Sequence, residues 1–302
     1  MKQFNYDLLE NKRDQLEQDN SGENRVYHSP NGTYPSVTNV LFQILNKENI
    51  EAWRDKIGHE EADKITHRAA RRGTNVHGII EKYLRGDEDF LKGAMPEHKE
   101  LVLAGLSQID ERIDNIRGIE LSMWSDDLKL AGTSDLIADY EGELAVIDWK
   151  TAAYLKKEEW LLSYILQGTA YSRMLYEMYR LIPKKVVVCS FIRFDSKKYN
   201  HMMDQDIFVD WKVYNPLDYI RQLKSVCDVF EYNYEAQLYD LLQVGEFDIR
   251  FLGSDYINEP FTGDDLKIPI HYLDRSHGWS TTKFKEKITT QFHEQRRLKK
   301  YL

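Results

Sequence analysis

Two short stretches hold the residues whose types and spacing can do chemistry: Gly132-Thr133-Ser134-Asp135 and, twelve residues on, Asp148-Trp149-Lys150-Thr151. On a strand, side chains alternate between faces, so Asp148 and Lys150 project to one side and Trp149 to the other. If the segment holding Asp135 pairs with this strand as a hairpin, the two aspartates come within reach of one cation. A carboxylate pair without sulfur suits a hard, oxygen-seeking ion. Mg²⁺ is the first choice and Mn²⁺ a substitute, and Mg²⁺ typically takes one or two carboxylates together with phosphate oxygens and water. The chemistry implied is attack of water on a phosphodiester, with Lys150 orienting or helping to deprotonate the water, or offsetting charge at phosphorus. The plain alternative is a surface Asp–Lys pair worth ~0 to 1 kcal/mol. Against it stands the run Leu144-Ala145-Val146-Ile147-Asp148-Trp149, apolar enough for a central strand, where a buried acid needs a compensating cation.

The elements that must position these residues can be read from periodicity. Ile119–Trp124, Lys129–Tyr140 and Glu143–Trp149 read as three consecutive strands, the last two joined tightly through Glu141-Gly142. Upstream, Ser36 or Thr38 offers an N-cap before Val40, Leu41 and Ile44, and Trp53 lies in a second short helix. A longer helix is expected over about Glu60–Leu84, with Gly73 as a point of interruption, and another over Pro96–Ile116. Downstream, a helix is expected over about Lys157–Arg180, with Pro183 barring its continuation, strands follow at Val186–Arg193 and Tyr199–Val209, and a helix runs from Pro216 to about Leu242. The order helix, three strands, helix, two strands implies an α/β chain. The polar first 25 residues hold too few apolar positions for a core helix. The last stretch, Thr281–Leu302, sets seven basic residues against two acidic ones, a balance of +5.

Composition narrows the class. The chain has 302 residues, 42% hydrophobic and 30% charged, which fits one large or two modest globular domains rather than a low-complexity chain. No apolar run reaches the ~18 residues of a membrane span, and no secretory or Arg-rich, acid-poor leader opens the sequence. A cytoplasmic protein of a bacterium or a phage-infected cell, without membrane contact, is therefore expected. Two cysteines, Cys189 and Cys227, are too few for a four-thiolate zinc or iron–sulfur site. The net charge of -9 argues against a nonspecific nucleic-acid coat, but not against an enzyme whose phosphate contacts are local.

With these residues in place, the set Gly73-Thr74-X-X-His77, Gly132-X-X-Asp135, Asp148-Trp149-Lys150-Thr151 and Gln167-X-X-X-Tyr171 resembles the RecB-type branch of the PD-(D/E)XK nucleases. Within that branch it is most similar to the exonucleases of mitochondrial genome maintenance and related bacteriophage exonucleases, which also carry a segment like Tyr34-Pro-Ser-Val-Thr38. The resemblance spans about Tyr34–Phe208. It implies a restriction-endonuclease-like α/β core, a mixed central sheet flanked by helices, with helical N- and C-terminal additions. The implied division is a polar segment 1–33, a nuclease domain 34–243 and an extension 244–302 with a basic end.

Carried over residue by residue, the resemblance makes His77, Asp135 and Asp148 metal ligands, with the Trp149 carbonyl as a further one. Lys150 becomes the catalytic lysine and Glu120 an acid supporting the metal. Gln167 and Tyr171, one helical turn apart, position the lysine or a substrate phosphate, and Glu81 is a partner of His77. Asp139, on the same strand face as Asp135, is a rival ligand. Arg68, Arg71 and Arg72 before Gly73, and Lys156 and Lys157 after the Asp-Trp-Lys motif, are candidate contacts to the substrate backbone, with solvation of the surface as their ordinary role. The implied activity is a Mg²⁺-dependent DNA exonuclease favouring single strands or free ends, in replication, recombination or repair. The alternatives are a structure-specific endonuclease on the same fold and a vestigial nucleic-acid-binding module. No phosphate-binding G-X-X-X-X-G-K-[ST] loop or G-X-S-X-G elbow supports a helicase or a serine hydrolase.

Overall fold

The computed structural model describes residues 2–22, 25–194, 206–231, 250–253, 265 and 267–273. The chain divides into two units, Met1–Lys224 and Ser225–Leu302. In the first, short strands β1 (Glu17–Asp19), β2 (Val26–Ser29) and β3 (Gly32–Pro35) form a small antiparallel sheet. Helices α1 (Val37–Leu41), α2 (Lys47–Ile57), α3 (His59–Leu84) and α4 (Pro96–Arg112) follow, with a π-helical turn at Phe42–Asn46. The central sheet comprises β4 (Ile113–Ser125), β5 (Leu130–Tyr140), β6 (Glu143–Ala152), β7 (Lys185–Arg193) and β8 (Ile207–Tyr214), in that order. Helix α5 (Leu162–Tyr179) connects β6 to β7. The β4–β5, β5–β6 and β7–β8 pairs are antiparallel and β6–β7 is parallel, the one pair that needs a helical crossover. A helix over Ile220–Glu231 (α6) crosses the boundary, and the second unit pairs β9 (Arg250–Gly253) in parallel with β10 (Ile270–Leu273). Among the described residues no helix is long and apolar enough to cross a membrane.

Strand β6 is central because both its faces are apolar. Ala145, Ile147 and Trp149 join Val76, Ile80, Leu84, Leu101 and Val102 of α3 and α4 in one core. The opposite face meets α5, whose Gly168 lies so close to β7 that a Cβ there would stand 2.3 Å from Val186 Cγ1. The β5–β6 connection has positive φ at both Glu141 (50°) and Gly142 (80°), the two-residue turn whose twist matches the flanking strands.

Four expectations need correction. Gly73 does not interrupt α3, which runs unbroken past Thr151. Helix α4 stops at Arg112, and Ile113–Ile116 already belong to β4, because the buried run from Ile113 pairs with the end of β5. Helix α5 ends as expected, with Arg180 in the left-handed conformation (φ 59°) closing it, but it starts at Leu162, after a 3-10 turn at Glu158–Leu161, rather than at Lys157. The N-terminal addition is partly strand, and its first residues enter the core. Phe4 is buried edge-on against Tyr83, residues 5–9 bond to Ile116 and Arg117, and Lys2 Nζ donates to the carbonyls of Asp110 and Ile113 at the end of α4, 2.7 Å each. The expected strand before Ile207, the helix beyond Glu231 and the basic end Thr281–Leu302 lie outside the described residues.

Candidate active site

The β5–β6 ladder ends at Leu136↔Ile147, just before the two aspartates. Beyond it the Asp135 carboxylate takes over the role of a backbone carbonyl: its Oδ2 accepts from the Trp149 amide at 2.8 Å. On the other side of β5, Ile119↔Leu136 and Leu121↔Ser134 bracket Glu120 opposite Asp135. Glu120 has φ 50°, a left-handed conformation costing about 1–2 kcal/mol for a residue with a side chain. Such strain at a carboxylate that faces another carboxylate is typical of sites held by the surrounding fold.

Helix α3 supplies a stripe at a spacing of four, Gly73, His77, Glu81 and Arg85. His77 Nδ1 lies 3.5 Å from Asp135 Oδ2. Arg85 Nε donates to Glu81 at 3.0 Å, and its Nη2 reaches the Ile119 carbonyl at 3.3 Å, tying the helix to the strand beside Glu120. From the other side α5 brings Gln167, whose Nε2 donates to Asp148 Oδ1 at 3.0 Å while its Oε1 accepts from Lys150 at 3.4 Å. Tyr171, one turn on, is buried against Gly132, where a Cβ would stand 2.9 Å from its hydroxyl. That close approach explains a glycine at this position.

Lys150 Nζ stands 2.6 Å from Asp148 Oδ2. The Asp148 side chain is only 3% exposed, so the Lys150 ammonium is the close cationic partner of this buried oxygen. Burial drives the Asp148 carboxyl above its ordinary pKa, against the pull of Lys150. For Lys150, burial would lower the pKa, but Asp148 and Asp135 outweigh it and hold the ammonium charged. Burial, then Asp135 and Glu81, push Glu120 up to about 7. Burial also raises Tyr171, with Asp135 and Asp148 adding to it.

These groups line a cleft of about 860 Å³. Ligand atoms of His77, Glu120 and Asp135 lie within 4.8 Å of one another. The donor set fits a divalent cation of the hard kind. Crowded carboxylates, one of them raised to about 7, call for positive charge, and no thiolate lines the cleft. Glu120, expected as an accessory acid, stands in the tightest group, whereas Asp148 is engaged by Lys150 and Gln167. Trp149 turns its ring into the core against Phe191 and Trp211. Asp139 lies away from the cleft, paired with Arg117 and Asn115.

The candidate substrate contacts fall elsewhere. Arg68 and Arg71 are exposed on α3, Arg72 is partly buried near Glu97 and Arg193, and none of the three lines the cleft. Lys156 and Lys157 follow β6 on a loop outside its lining. The cations that do line it, besides Lys150, are Arg13, Arg25 and Arg85. Arg85 was legible as the next member of the α3 stripe. Arg13 and Arg25 carry no local signal, since Arg13 comes in on a 3-10 turn before β1 and Arg25 just ahead of β2. Ser36 stands at the N-cap position of α1, yet its hydroxyl and that of Thr38 accept from Arg25 Nη2 at 3.0 and 2.8 Å instead of capping the helix.

A family model described as the PD-(D/E)XK nuclease superfamily matches residues 92–244, half of the chain, and the chain belongs to that superfamily. Its five-stranded mixed sheet is the restriction-endonuclease-like fold of that superfamily. Among curated proteins it is similar to mitochondrial genome maintenance exonuclease 1 of Mus musculus, 29% identical over 126 residues, covering 39% of this chain and 37% of that protein. The Homo sapiens protein of the same name is 29% identical over 132 residues, covering 39% and 36%. The Xenopus tropicalis one, also 29% identical over 132 residues, covers 41% and 38%. The matched part spans little more than a third of each relative.

Proposed function

We propose that the protein is a Mg²⁺-dependent DNA exonuclease acting on single strands or frayed ends in replication, recombination or repair. The observation that carries this reading is the convergence of one imidazole and three carboxylates on a single cleft, with the Lys150 ammonium 2.6 Å from Asp148. The relatives' names, all exonucleases, support the choice of reaction.

His77, Glu120, Asp135 and Asp148 would hold the cation, with the Trp149 carbonyl at the β6 end as a further oxygen. A bound divalent ion supplies a Lewis acid for a phosphoryl oxygen and lowers the pKa of water. Lys150 orients the attacking water and offsets charge that grows on phosphorus. Gln167 holds Lys150 and Asp148 in one arrangement through its two amide atoms, and Tyr171 closes the wall behind Gly132. Arg13, Arg25 and Arg85 present positive charge to a phosphate backbone, and Lys156 and Lys157 extend that path outside the cleft. Arg68, Arg71 and Arg72, outside the cleft lining, would meet only a longer substrate.

End-labelled linear single and double strands, together with a closed circular single strand, test the reading in Mg²⁺ and in chelator. Linear strands should shorten from their ends in Mg²⁺ alone while the circle persists. Rapid cutting of the circle would replace an exonuclease with an endonuclease, and digestion in chelator would remove the metal.

A further inference from the structure

The stretch that follows β6, a loop from residue 153 and then a 3-10 turn at Glu158–Leu161, carries three large apolar side chains that remain in water: Tyr154, Leu155 and Trp160, exposed 44%, 41% and 49%. Tyr154 and Trp160 meet edge to face, ring centroids 6.2 Å apart at 82°. An edge contact leaves a ring face uncovered. Two lysines of the same stretch lie at neighbouring rings, and Lys156 also donates to the Tyr164 hydroxyl. Lys157 Nζ lies 5.5 Å from the Trp160 centroid and 3.8 Å from Glu159, and Lys156 Nζ sits 4.3 Å over the Tyr164 ring. Lys150 Nζ lies 4.8 Å from the same Tyr164 ring, so one aromatic ring separates this loop from the ammonium at the centre of the candidate site. Glu158 is bonded to the Tyr214 hydroxyl.

Exposed rings next to lysines match a ligand with flat apolar faces joined by anionic links, which describes a nucleic-acid strand whose bases are not paired. In a duplex those faces are hidden by stacking and only the edges show. We propose that Tyr154 and Trp160 form a stacking step for an unpaired nucleotide, with Lys156 and Lys157 holding its phosphates. The step delivers the strand to Lys150 and discriminates single strands from duplex. This rests on the nuclease reading of the same cleft and adds to it the residues that select the strand.

The test is equilibrium binding of the full chain, in Ca²⁺ to limit hydrolysis, to a labelled oligothymidylate, to the same strand made of abasic nucleotides, and to a duplex. Trp160→Ala should weaken oligothymidylate binding about tenfold, the size of one stacking contact, and Trp160→Phe should restore most of it. The abasic strand should bind wild type and Trp160→Ala alike. Wild-type affinity for oligothymidylate in both Trp160→Ala and Tyr154→Ala overturns the proposal, as does an equal loss for the abasic strand. If Trp160→Ala does not fold, Trp160→Leu and Tyr154→Ala are read by the same criteria. Hydrolysis of the oligothymidylate in Mg²⁺ is scored separately. Intact stacking without hydrolysis would sink the nuclease mechanism and leave the step in place.

Discussion

At the scale of single residues, the Asp148–Lys150 pair decides most. Lys150→Met keeps the volume but removes the ammonium, and hydrolysis should fall by at least about 10²-fold, the usual cost of one positioned charge-stabilising group. The same substitution leaves Asp148 buried beside Gln167 alone, which costs up to about 3–5 kcal/mol for a buried pair broken on one side. A melt in chelator should therefore move down in Lys150→Met and far less in the double variant Lys150→Met/Asp148→Asn. Equal melting of the two would show that the pair is not coupled. Glu120 gives a pH signature. Its carboxyl is raised from 4.5 to about 7 in the folded chain, chiefly by burial, so the folded state keeps a proton that the unfolded state releases. Stability in chelator should fall as pH rises from about 4.5 to about 7 and stay low above that. Glu120→Gln should flatten this fall and stabilise the protein at pH 8 by about 1–2 kcal/mol after allowance for solvent screening. A steeper decline in the variant would contradict the raised carboxyl.

At the scale of elements, close packing sets the site. Gly168 lets α5 approach β7, where an added Cβ meets Val186 Cγ1 at 2.3 Å. Gly168→Ala should push the helix outward, costing about 1–3 kcal/mol, and loosen Gln167 next to it, so that hydrolysis drops together with the melting temperature. Val186→Ala in the same chain should recover part of both, because it removes the methyl in the way. A variant that melts lower but keeps full turnover would mean that Gln167 is not held through this contact. The segment before β1 has an equal claim on the fold. Phe4→Ala should cost about 3–5 kcal/mol on chemical denaturation, the range for a buried aromatic.

For the whole molecule, the uneven charge is the governing quantity. A net charge of -9 coexists with a cleft holding Asp14, Glu81, Glu120, Asp135 and Asp148 against Arg13, Arg25, Arg85 and Lys150. A cation that binds this folded cleft and not the unfolded chain stabilises by mass action, about 2.7 kcal/mol at a hundred times its dissociation constant. Mg²⁺ or Mn²⁺ should thus raise the thermal midpoint, more at pH 8 than at pH 5, where a protonated Glu120 competes. A midpoint indifferent to both ions in calorimetry would count against a metal centre here.

Much of this was legible in one dimension because it depends on local rules. Strand alternation put Asp148 and Lys150 on one face. A two-residue turn joined β5 to β6, and helical spacing aligned His77 with Glu81 and Gln167 with Tyr171. Those rules act between neighbours in the chain, and neighbours are visible in a sequence. The tertiary structure alone decided that the β5–β6 ladder ends just short of the aspartates and that a strained Glu120 joins His77 and Asp135. It also decided that Arg13 and Arg25 reach the cleft from a segment read as a polar lead-in, and that Tyr154 and Trp160 stay in solvent while Trp149, of the same type, is buried. Each of these depends on contacts between residues far apart in the chain, where burial and backbone strain are settled by the whole fold at once.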